Sequence, residues 1–152
     1  MKSQPHVSVQ NPPVRYPLMI YDGDCGFCQF SVQRIQRQVD GYVQFEPSQT
    51  AAERFPEVAG EEFQGAVQLI EPSGAVYRAA EAVFRTYWLA GRRRVLYWAY
   101  RTLPGFAWLC ETIYAWVARN RGLVTKILEK LGFDVSSGCV IQSGSDENHS
   151  QR

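Results

Sequence analysis

The sequence has few cysteines and no long apolar run. Four cysteines in 152 residues are far below the roughly 8–10% typical of small disulfide-bonded scaffolds. No segment approaches the about 20 apolar residues that a membrane-spanning helix needs. The first 17 residues are polar, include four prolines and lack the apolar stretch of a secretory signal, so the sequence predicts a cytoplasmic protein. In that compartment a close pair of cysteines is more often catalytic or metal-binding than structural.

The overall charge is nearly balanced, but the two signs are distributed unevenly. The net charge of +1 indicates no particular partner, and 45% hydrophobic with 20% charged residues is ordinary for a soluble globular domain. Residues 1–77 carry five Lys or Arg against nine Asp or Glu, whereas residues 78–130 carry ten against three. All four tryptophans lie in this basic part, so the two halves of the chain differ in chemistry.

The hydrophobic pattern predicts a single α/β domain. A strand, a helix and a second strand fit a parallel βαβ unit, and Glu-Pro-Ser-Gly between two later apolar runs fits a type I turn in a hairpin. These elements predict a mixed four-stranded sheet with flanking helices, followed by a helical C-terminal extension. The expected segments are a flexible arm at 1–17, a domain at 18–131 with C-terminal helices from about 93, and a loose tail at 132–152.

The most informative motif lies between the first strand and the first helix and runs Tyr21-Asp22-Gly23-Asp24-Cys25-Gly26-Phe27-Cys28. The first turn of a helix has unpaired N–H groups and the positive end of the macrodipole, and both stabilise a thiolate. We therefore expect Cys25 at or beside the N-cap and Cys28 one turn later, within disulfide reach. This arrangement predicts thiol–disulfide exchange, in which Cys25 attacks and the more buried Cys28 resolves the mixed disulfide.

The acidic residues beside the cysteines leave the electrostatics open. Asp22 and Asp24 bring negative charge that opposes the effect of the helix dipole on a thiolate. A carboxylate next to Cys28 also provides a proton acceptor for that thiol. Asp22 is the favoured candidate for this role because a residue at a strand end is more easily buried, and Asp24 is the alternative.

Zinc binding is a competing use of a Cys-x-x-Cys pair. The remaining ligands would have to come from Cys110, Cys139, His6 or His149. The sequence has no second Cys-x-x-Cys and no His-x-x-x-His, and both histidines lie in predicted terminal segments. We therefore expect no metal.

Phosphoryl transfer is a second competing chemistry. An apolar strand followed by Asp-x-Asp, here Asp22 and Asp24, is also the nucleophile motif of haloacid-dehalogenase-like phosphatases. That chemistry needs a downstream lysine and further carboxylates for Mg²⁺. The first lysine after the motif is Lys126, inside a predicted basic helix, so this interpretation is not favoured.

The cysteine motif resembles the signature of the DCC family of predicted thiol–disulfide oxidoreductases, an Asp-Gly-x-Cys-x-x-Cys after the first strand. Ala79–Phe84, Leu103-Pro104 and Ile113–Arg121 resemble further segments of that family. The resemblance implies a thioredoxin-like fold and Cys25 with Cys28 as the redox pair. It also implies a protein or small-molecule disulfide as substrate, with no metal, flavin or nucleotide cofactor.

The chain differs from an ordinary thioredoxin at three places. Asp24 stands where an aromatic residue usually precedes the first cysteine, and Phe27 replaces the proline between the cysteines. Phe63-Gln64-Gly65 stands where thioredoxins place a cis-proline beside the disulfide, a residue that helps to bind substrate backbone. The resemblance therefore implies the redox pair more strongly than it implies how a substrate is held.

The basic aromatic region 84–121 contains Trp88, Trp98, Trp108 and Trp116 among arginines. The favoured interpretation is a set of helices whose aromatics cover the sheet while the arginines face water. A peripheral membrane contact through this region is the alternative, because Trp and Arg suit the headgroup layer. Nucleic-acid binding is not expected. The competing function is thus a redox-inert module that docks through these helices on a protein or membrane.

Three further features of the sequence are one helix end and two lone cysteines. We expect Arg119-Asn120-Arg121 to form an ordinary helix end, where arginine complements the helix dipole. Cys110 is predicted to lie in the core of its helix. Cys139, in a Ser/Gly-rich segment, is either unimportant or a third, exchangeable thiol.

Overall fold

The computed structural model describes residues 7–13, 15–39, 41–59, 65–133 and 135. The strands are β1 (Val7–Ser8), β2 (Leu18–Tyr21), β3 (Gln44–Pro47), β4 (Gln68–Ile70) and β5 (Ala75–Arg78). The helices are α1 (Gly26–Val39), α2 (Ser48–Arg54), α3 (Ala79–Leu89), α4 (Arg94–Thr102), α5 (Phe106–Arg119) and α6 (Arg121–Lys130), with a 3₁₀ turn at Pro56–Val58. The strands and helices predicted between residues 18 and 131 are therefore present.

The strands form one mixed sheet in the order β1-β5-β4-β2-β3. β2 and β3 are parallel and are joined through α1, whereas β2–β4, β4–β5 and β5–β1 are antiparallel. This arrangement confirms the predicted α/β, thioredoxin-like fold class. It also puts the end of β2 and the start of α1, where the cysteine motif lies, beside the end of β3.

The sheet has one strand more than the sequence predicted. Val7 pairs with Val76 and Ser8 with Ala75 along the free edge of β5, and the N–H of Val9 donates to the carbonyl of Gly74 at 2.9 Å. Val9 is only 5% exposed. The prediction of a flexible arm across 1–17 is therefore wrong for residues 7–13, because the prolines and polar residues around them obscure the short Val-x-Val alternation that covers the sheet edge.

The core lies on both faces of the sheet because successive residues of β2 point to opposite sides. On one face Leu18 and Ile20 pack with Ile70 and Val76 against Ala51 and Phe55 of the α2 region. On the other face Met19, Leu69 and Tyr77 pack against α1 and α3. β2 is thus buried on both faces, which explains why Leu18–Tyr21 reads as a continuous apolar run rather than as an alternating pattern.

The C-terminal helices pack mainly on α3. Ala80 and Phe84 of α3 contact Tyr97 and Tyr100 of α4, and α5 joins this cluster through its inward side chains, including Phe106, Cys110 and Tyr114. The sequence favoured tryptophans that cover the sheet, and this expectation is wrong for Trp88, Trp98, Trp108 and Trp116, all of which are exposed. On α5 the inward side chains are instead Phe106, Ala107, Cys110 and Tyr114. No helix in the described residues is both long and apolar enough to cross a membrane.

The chain after α6 returns to α1. Phe133 packs edge-on against Phe30 with ring centroids 6.1 Å apart, and the guanidinium of Arg34 lies over the Phe133 ring. Val135 is 2% exposed. The prediction of a loose tail from residue 132 is therefore wrong for Phe133 and Val135. The other residues of that segment, including Cys139 and His149, lie outside the described residues, as does His6.

Candidate active site

The turn that presents the cysteines is closed by its own backbone and by Asp22. The N–H of Cys25 donates to the carbonyl of Asp22 at 3.4 Å, and the N–H of Asp24 donates to Asp22 Oδ1 at 3.1 Å. The side chain of Gln29, one turn into α1, donates to the carbonyl of Gly23. These bonds hold the chain between β2 and α1 in one conformation, so the first cysteine has a defined position.

Position 23 must be glycine because the turn leaves no space for a side chain. A Cβ on Gly23 would lie 2.8 Å from the Cβ of Pro47 and 2.6 Å from Oε1 of Gln49. The same Gln49 oxygen accepts the N–H of Gly23 at 3.2 Å. The Asp-Gly pair of the motif thus reflects close contact between the turn and the junction of β3 with α2.

The two cysteines lie at the beginning of α1. The backbone N–H of Cys28 donates to Sγ of Cys25 at 3.3 Å, so the first thiol occupies the N-cap position and accepts from the third helical residue. Both thiols are free and partly exposed. Both sulfurs and one carboxylate oxygen of Asp22 lie within 4.8 Å of one another. The structure therefore brings three of the four predicted site residues together.

Asp24, the fourth, points elsewhere. Its side chain is bound by Nε2 of Gln49 at 2.9 Å, and the residue is exposed. Asp24 therefore fixes the turn to α2, whereas Asp22 is the carboxylate that faces the thiols.

The environment of Cys28 differs strongly from that of an exposed thiol. Burial raises the pKa of Cys28 to about 12, and the hydrogen bond and charge of Cys25 act in the same direction. Asp22 raises this pKa further, while the positive charge of Arg121 lowers it. Cys28 is therefore protonated at neutral pH and needs a proton acceptor before it can attack a disulfide.

Arg121, the first residue of α6, supplies a positive charge at the site. Its guanidinium donates to Asp22 Oδ2 at 3.1 Å and to the carbonyl of Gly65, and its charge acts on the thiols of Cys25 and Cys28. Burial alone lowers the pKa of Arg121, but Cys28, Cys25 and Asp22 outweigh burial and raise it. The cation therefore stays charged beside the thiols and stabilises negative charge on sulfur.

The sequence analysis missed Arg121. Arg119 and Asn120 do behave as an ordinary helix end, with side chains that donate to the carbonyls of Ala115 and Trp116. Arg121 follows the break between α5 and α6 and faces the cysteines instead. One signal for it was available, since the Ile113–Arg121 segment that resembles the DCC family ends at this arginine.

Tyr114 is the second residue that the sequence analysis missed. Its hydroxyl accepts the N–H of Val67 at 2.9 Å, just as Arg121 takes the carbonyl of Gly65. Both groups belong to the segment that enters β4, where a thioredoxin would have its cis-proline; Phe63 and Gln64 of that segment lie outside the described residues. Side chains of the C-terminal helices therefore satisfy the backbone that follows this position.

An apolar cavity of about 380 Å³ adjoins Cys28. Its walls come from α1, α3 and α5 and include Phe27, Val83, Phe84, Ile113 and Val117. Cys110, predicted as a core residue, is instead partly exposed on the cavity wall. The volume and apolar lining are those of a site for a small molecule or a side chain.

The arrangement does not favour a metal ion. Asp22, Cys25 and Cys28 offer three ligand atoms, and Cys110 does not belong to this group. The guanidinium of Arg121 already donates to Asp22, and its charge repels a cation at that position. Lys126, which the phosphatase hypothesis requires, is exposed on α6.

Comparison with known proteins is consistent with this geometry. A model of the DCC1-like thiol-disulfide oxidoreductase family matches residues 19–126. The matched range includes the two cysteines and Asp22 as well as Tyr114 and Arg121. The searches of curated proteins and of solved structures found no match.

Proposed function

The chain belongs to the family of DCC1-like thiol-disulfide oxidoreductases, and on this premise we propose that it reduces or forms disulfides through Cys25 and Cys28. One observation carries the proposal. Cys25 accepts a hydrogen bond from the first turn of α1, whereas Cys28 is held protonated by burial. Two thiols one turn apart with such unequal environments suit an attacking and a resolving role.

In the first step the thiolate of Cys25 attacks one sulfur of a substrate disulfide. A bond forms between Cys25 Sγ and that sulfur, and the other substrate sulfur leaves as a thiolate. The helix N-terminus and the guanidinium of Arg121 both stabilise the attacking anion. The exposed side of Cys25 gives the substrate access.

In the second step Cys28 resolves the mixed disulfide. Asp22 accepts the proton of Cys28, whose thiolate then attacks Cys25 Sγ and releases the remaining substrate thiolate. The two cysteines end as a disulfide, so the dithiol has passed two electrons to the substrate, and a thiol reductant must return them. The short distances among Asp22, Cys25 and Cys28 support this role for the carboxylate. The reverse sequence oxidises a substrate dithiol.

The substrate is a protein or a small-molecule disulfide with an apolar group beside its reacting sulfur. The cavity next to Cys28 supports this proposal because its walls are apolar and its volume suits one side chain or a small ring system. We therefore expect bis(2-phenylethyl) disulfide, an aromatic compound whose sulfurs are bonded to alkyl carbons, to react faster than hydroxyethyl disulfide once each rate is divided by that compound's rate with a free small thiol.

The test combines two single-cysteine variants. Cys28→Ser should accumulate a mixed disulfide at Cys25 with an added disulfide, whereas Cys25→Ser should accumulate little. Wild type should instead form the Cys25–Cys28 disulfide, which intact-mass and peptide-mass measurements detect, and its equilibrium with glutathione gives the reduction potential. A Cys25 that reacts no faster than a free thiol at neutral pH, and forms no bond with Cys28 under mild oxidant, would support the redox-inert docking module instead.

A further inference from the structure

Many large apolar side chains of α4, α5 and α6 are exposed to solvent. We call the following exposed side chains the outer surface: Trp98 on α4, Trp108, Leu109, Ile113 and Trp116 on α5, Leu123 and Ile127 on α6, and Leu131 just after α6. Trp108 is 71% exposed and Leu131 is 67% exposed. On α5, Leu109, Ile113 and Trp116 recur at spacings of three or four, with Trp108 beside Leu109. Leu123, Ile127 and Leu131 recur at spacings of four, so each helix presents an apolar stripe to solvent.

These side chains do not serve the core. The sheet has complete apolar layers on both faces without them, and neither α5 nor α6 contributes a fully buried residue. Monomeric soluble proteins rarely expose contiguous apolar patches of more than a few hundred Å². The outer surface therefore has the composition of an interface.

The charge of the same region identifies the kind of partner. Residues 88–133 carry eight Lys or Arg and two Glu. One of the two, Glu111, is turned inward and accepts the hydroxyl of Tyr100 at 2.8 Å. Arg101, Arg119, Lys126 and Lys130 are all exposed. The apolar stripes are thus bordered by cations with little acidic compensation, which suits an anionic partner.

We propose that the outer surface binds the face of an anionic lipid bilayer, with α5 and α6 lying in the headgroup layer. Helices that lie in a membrane interface typically combine exposed Trp and Leu with flanking Lys and Arg, and the outer surface has this composition. Negative lipids attract each nearby cation. A second copy of the chain fits less well because it brings the same positive charge, and a fluid bilayer accommodates three helices without a matched rigid surface.

Vesicle flotation at low salt tests the proposal with the full chain. Vesicles of phosphatidylserine mixed with phosphatidylcholine should carry the protein, and pure phosphatidylcholine should carry at least about tenfold less. The double variant Trp108→Ala/Trp116→Ala should lose about tenfold in bound fraction, while Tyr42→Ala, which removes an aromatic of similar exposure outside the outer surface, should bind as wild type. Circular dichroism and Cys25 alkylation confirm that each variant is folded.

Charge is tested separately by the pair Lys126→Gln/Lys130→Gln. These changes should weaken binding on the order of tenfold, and Arg37→Gln, which alters an exposed cation on α1, should not. Absence of wild-type binding to anionic vesicles overturns the proposal. A dimer in sedimentation that dissociates in the tryptophan double variant, without vesicle binding, also overturns it in favour of self-association.

Discussion

Arg121 and Asp22 are separated by 99 positions in the sequence and form an ion pair of 3.1 Å beside the two cysteines. Asp22 directly follows β2, and Arg121 is the first residue of α6. The thioredoxin-like core therefore supplies the thiols and the carboxylate, and the helical extension supplies the cation. The site is complete only when both parts of the domain are present.

Replacing Arg121 should slow the first chemical step. Arg121→Gln removes the positive charge that acts on the thiol of Cys25, and we expect alkylation of Cys25 by iodoacetamide at neutral pH to slow about tenfold, or ~1.4 kcal/mol. Arg119→Gln is the matched control because the side chain of Arg119 donates to the carbonyl of Ala115 on its own helix. Arg121→Lys should restore part of the rate. Equal rates in all four proteins would remove Arg121 from the mechanism.

Replacing Asp22 should separate the two steps. Asp22→Asn deletes the proton acceptor of Cys28 and one negative charge from the site, so we expect attack by Cys25 to continue while resolution slows by about 10²-fold or more. Stopped-flow and quenched-flow mass measurements should then show a mixed disulfide that wild type does not accumulate. Asp24→Asn is the control, since that carboxylate faces Gln49. A variant with both steps unchanged contradicts the assignment.

Gly23 should not tolerate a methyl group. Gly23→Ala places a Cβ against Pro47 and Gln49, and we expect a loss of about 2 kcal/mol in the free energy of unfolding together with slower Cys25 alkylation. Gly122→Ala provides the opposite control, because its Cβ meets nothing within 4 Å and alanine favours a helix by about 0.8–1 kcal/mol. Urea titrations of both variants give the comparison. Equal stability of Gly23→Ala and wild type would show that the turn relaxes freely.

Stability should depend on pH through Glu81, which is only 6% exposed on α3. Burial raises its pKa from 4.5 to about 7, while Arg85 lowers it and Glu111 raises it. As pH rises, the unfolded chain therefore loses this proton before the folded chain does. The contribution of protonated Glu81 to the free energy of unfolding is complete below pH 4.5 and is lost as pH rises through 7.

Glu81→Gln keeps a neutral side chain at every pH and tests this contribution. Relative to wild type, the variant should gain about 2–3 kcal/mol in the free energy of unfolding between pH 5 and pH 8. Urea titrations at both pH values measure the difference. A constant difference between the two proteins would mean that Glu81 titrates at its ordinary pKa in the fold.

The sequence predicted those features that depend on local pattern. The Cys-x-x-Cys at the start of α1 follows from a short apolar strand, an Asp-Gly turn and helical spacing within about 20 residues. Arg121 and Tyr114 were missed because their roles depend on how α5 and α6 fold back on the core, and spacing along one helix carries no such information. The exposure of Trp108 and Trp116 was missed for a similar reason, since an apolar stripe indicates a buried face without naming what buries it.

α6 connects the cysteine site to the outer surface. The helix starts with Arg121 at the sulfurs and, within two turns, carries Leu123 and Ile127 outward. A helix of ten residues moves as a rigid unit, so a change in orientation at its exposed apolar side chains also moves the guanidinium of Arg121. If bilayer binding favours one orientation of α6, it also shifts the equilibrium between the dithiol and the disulfide. Thermodynamic linkage then requires that oxidation of the dithiol change the affinity for the bilayer by the same factor.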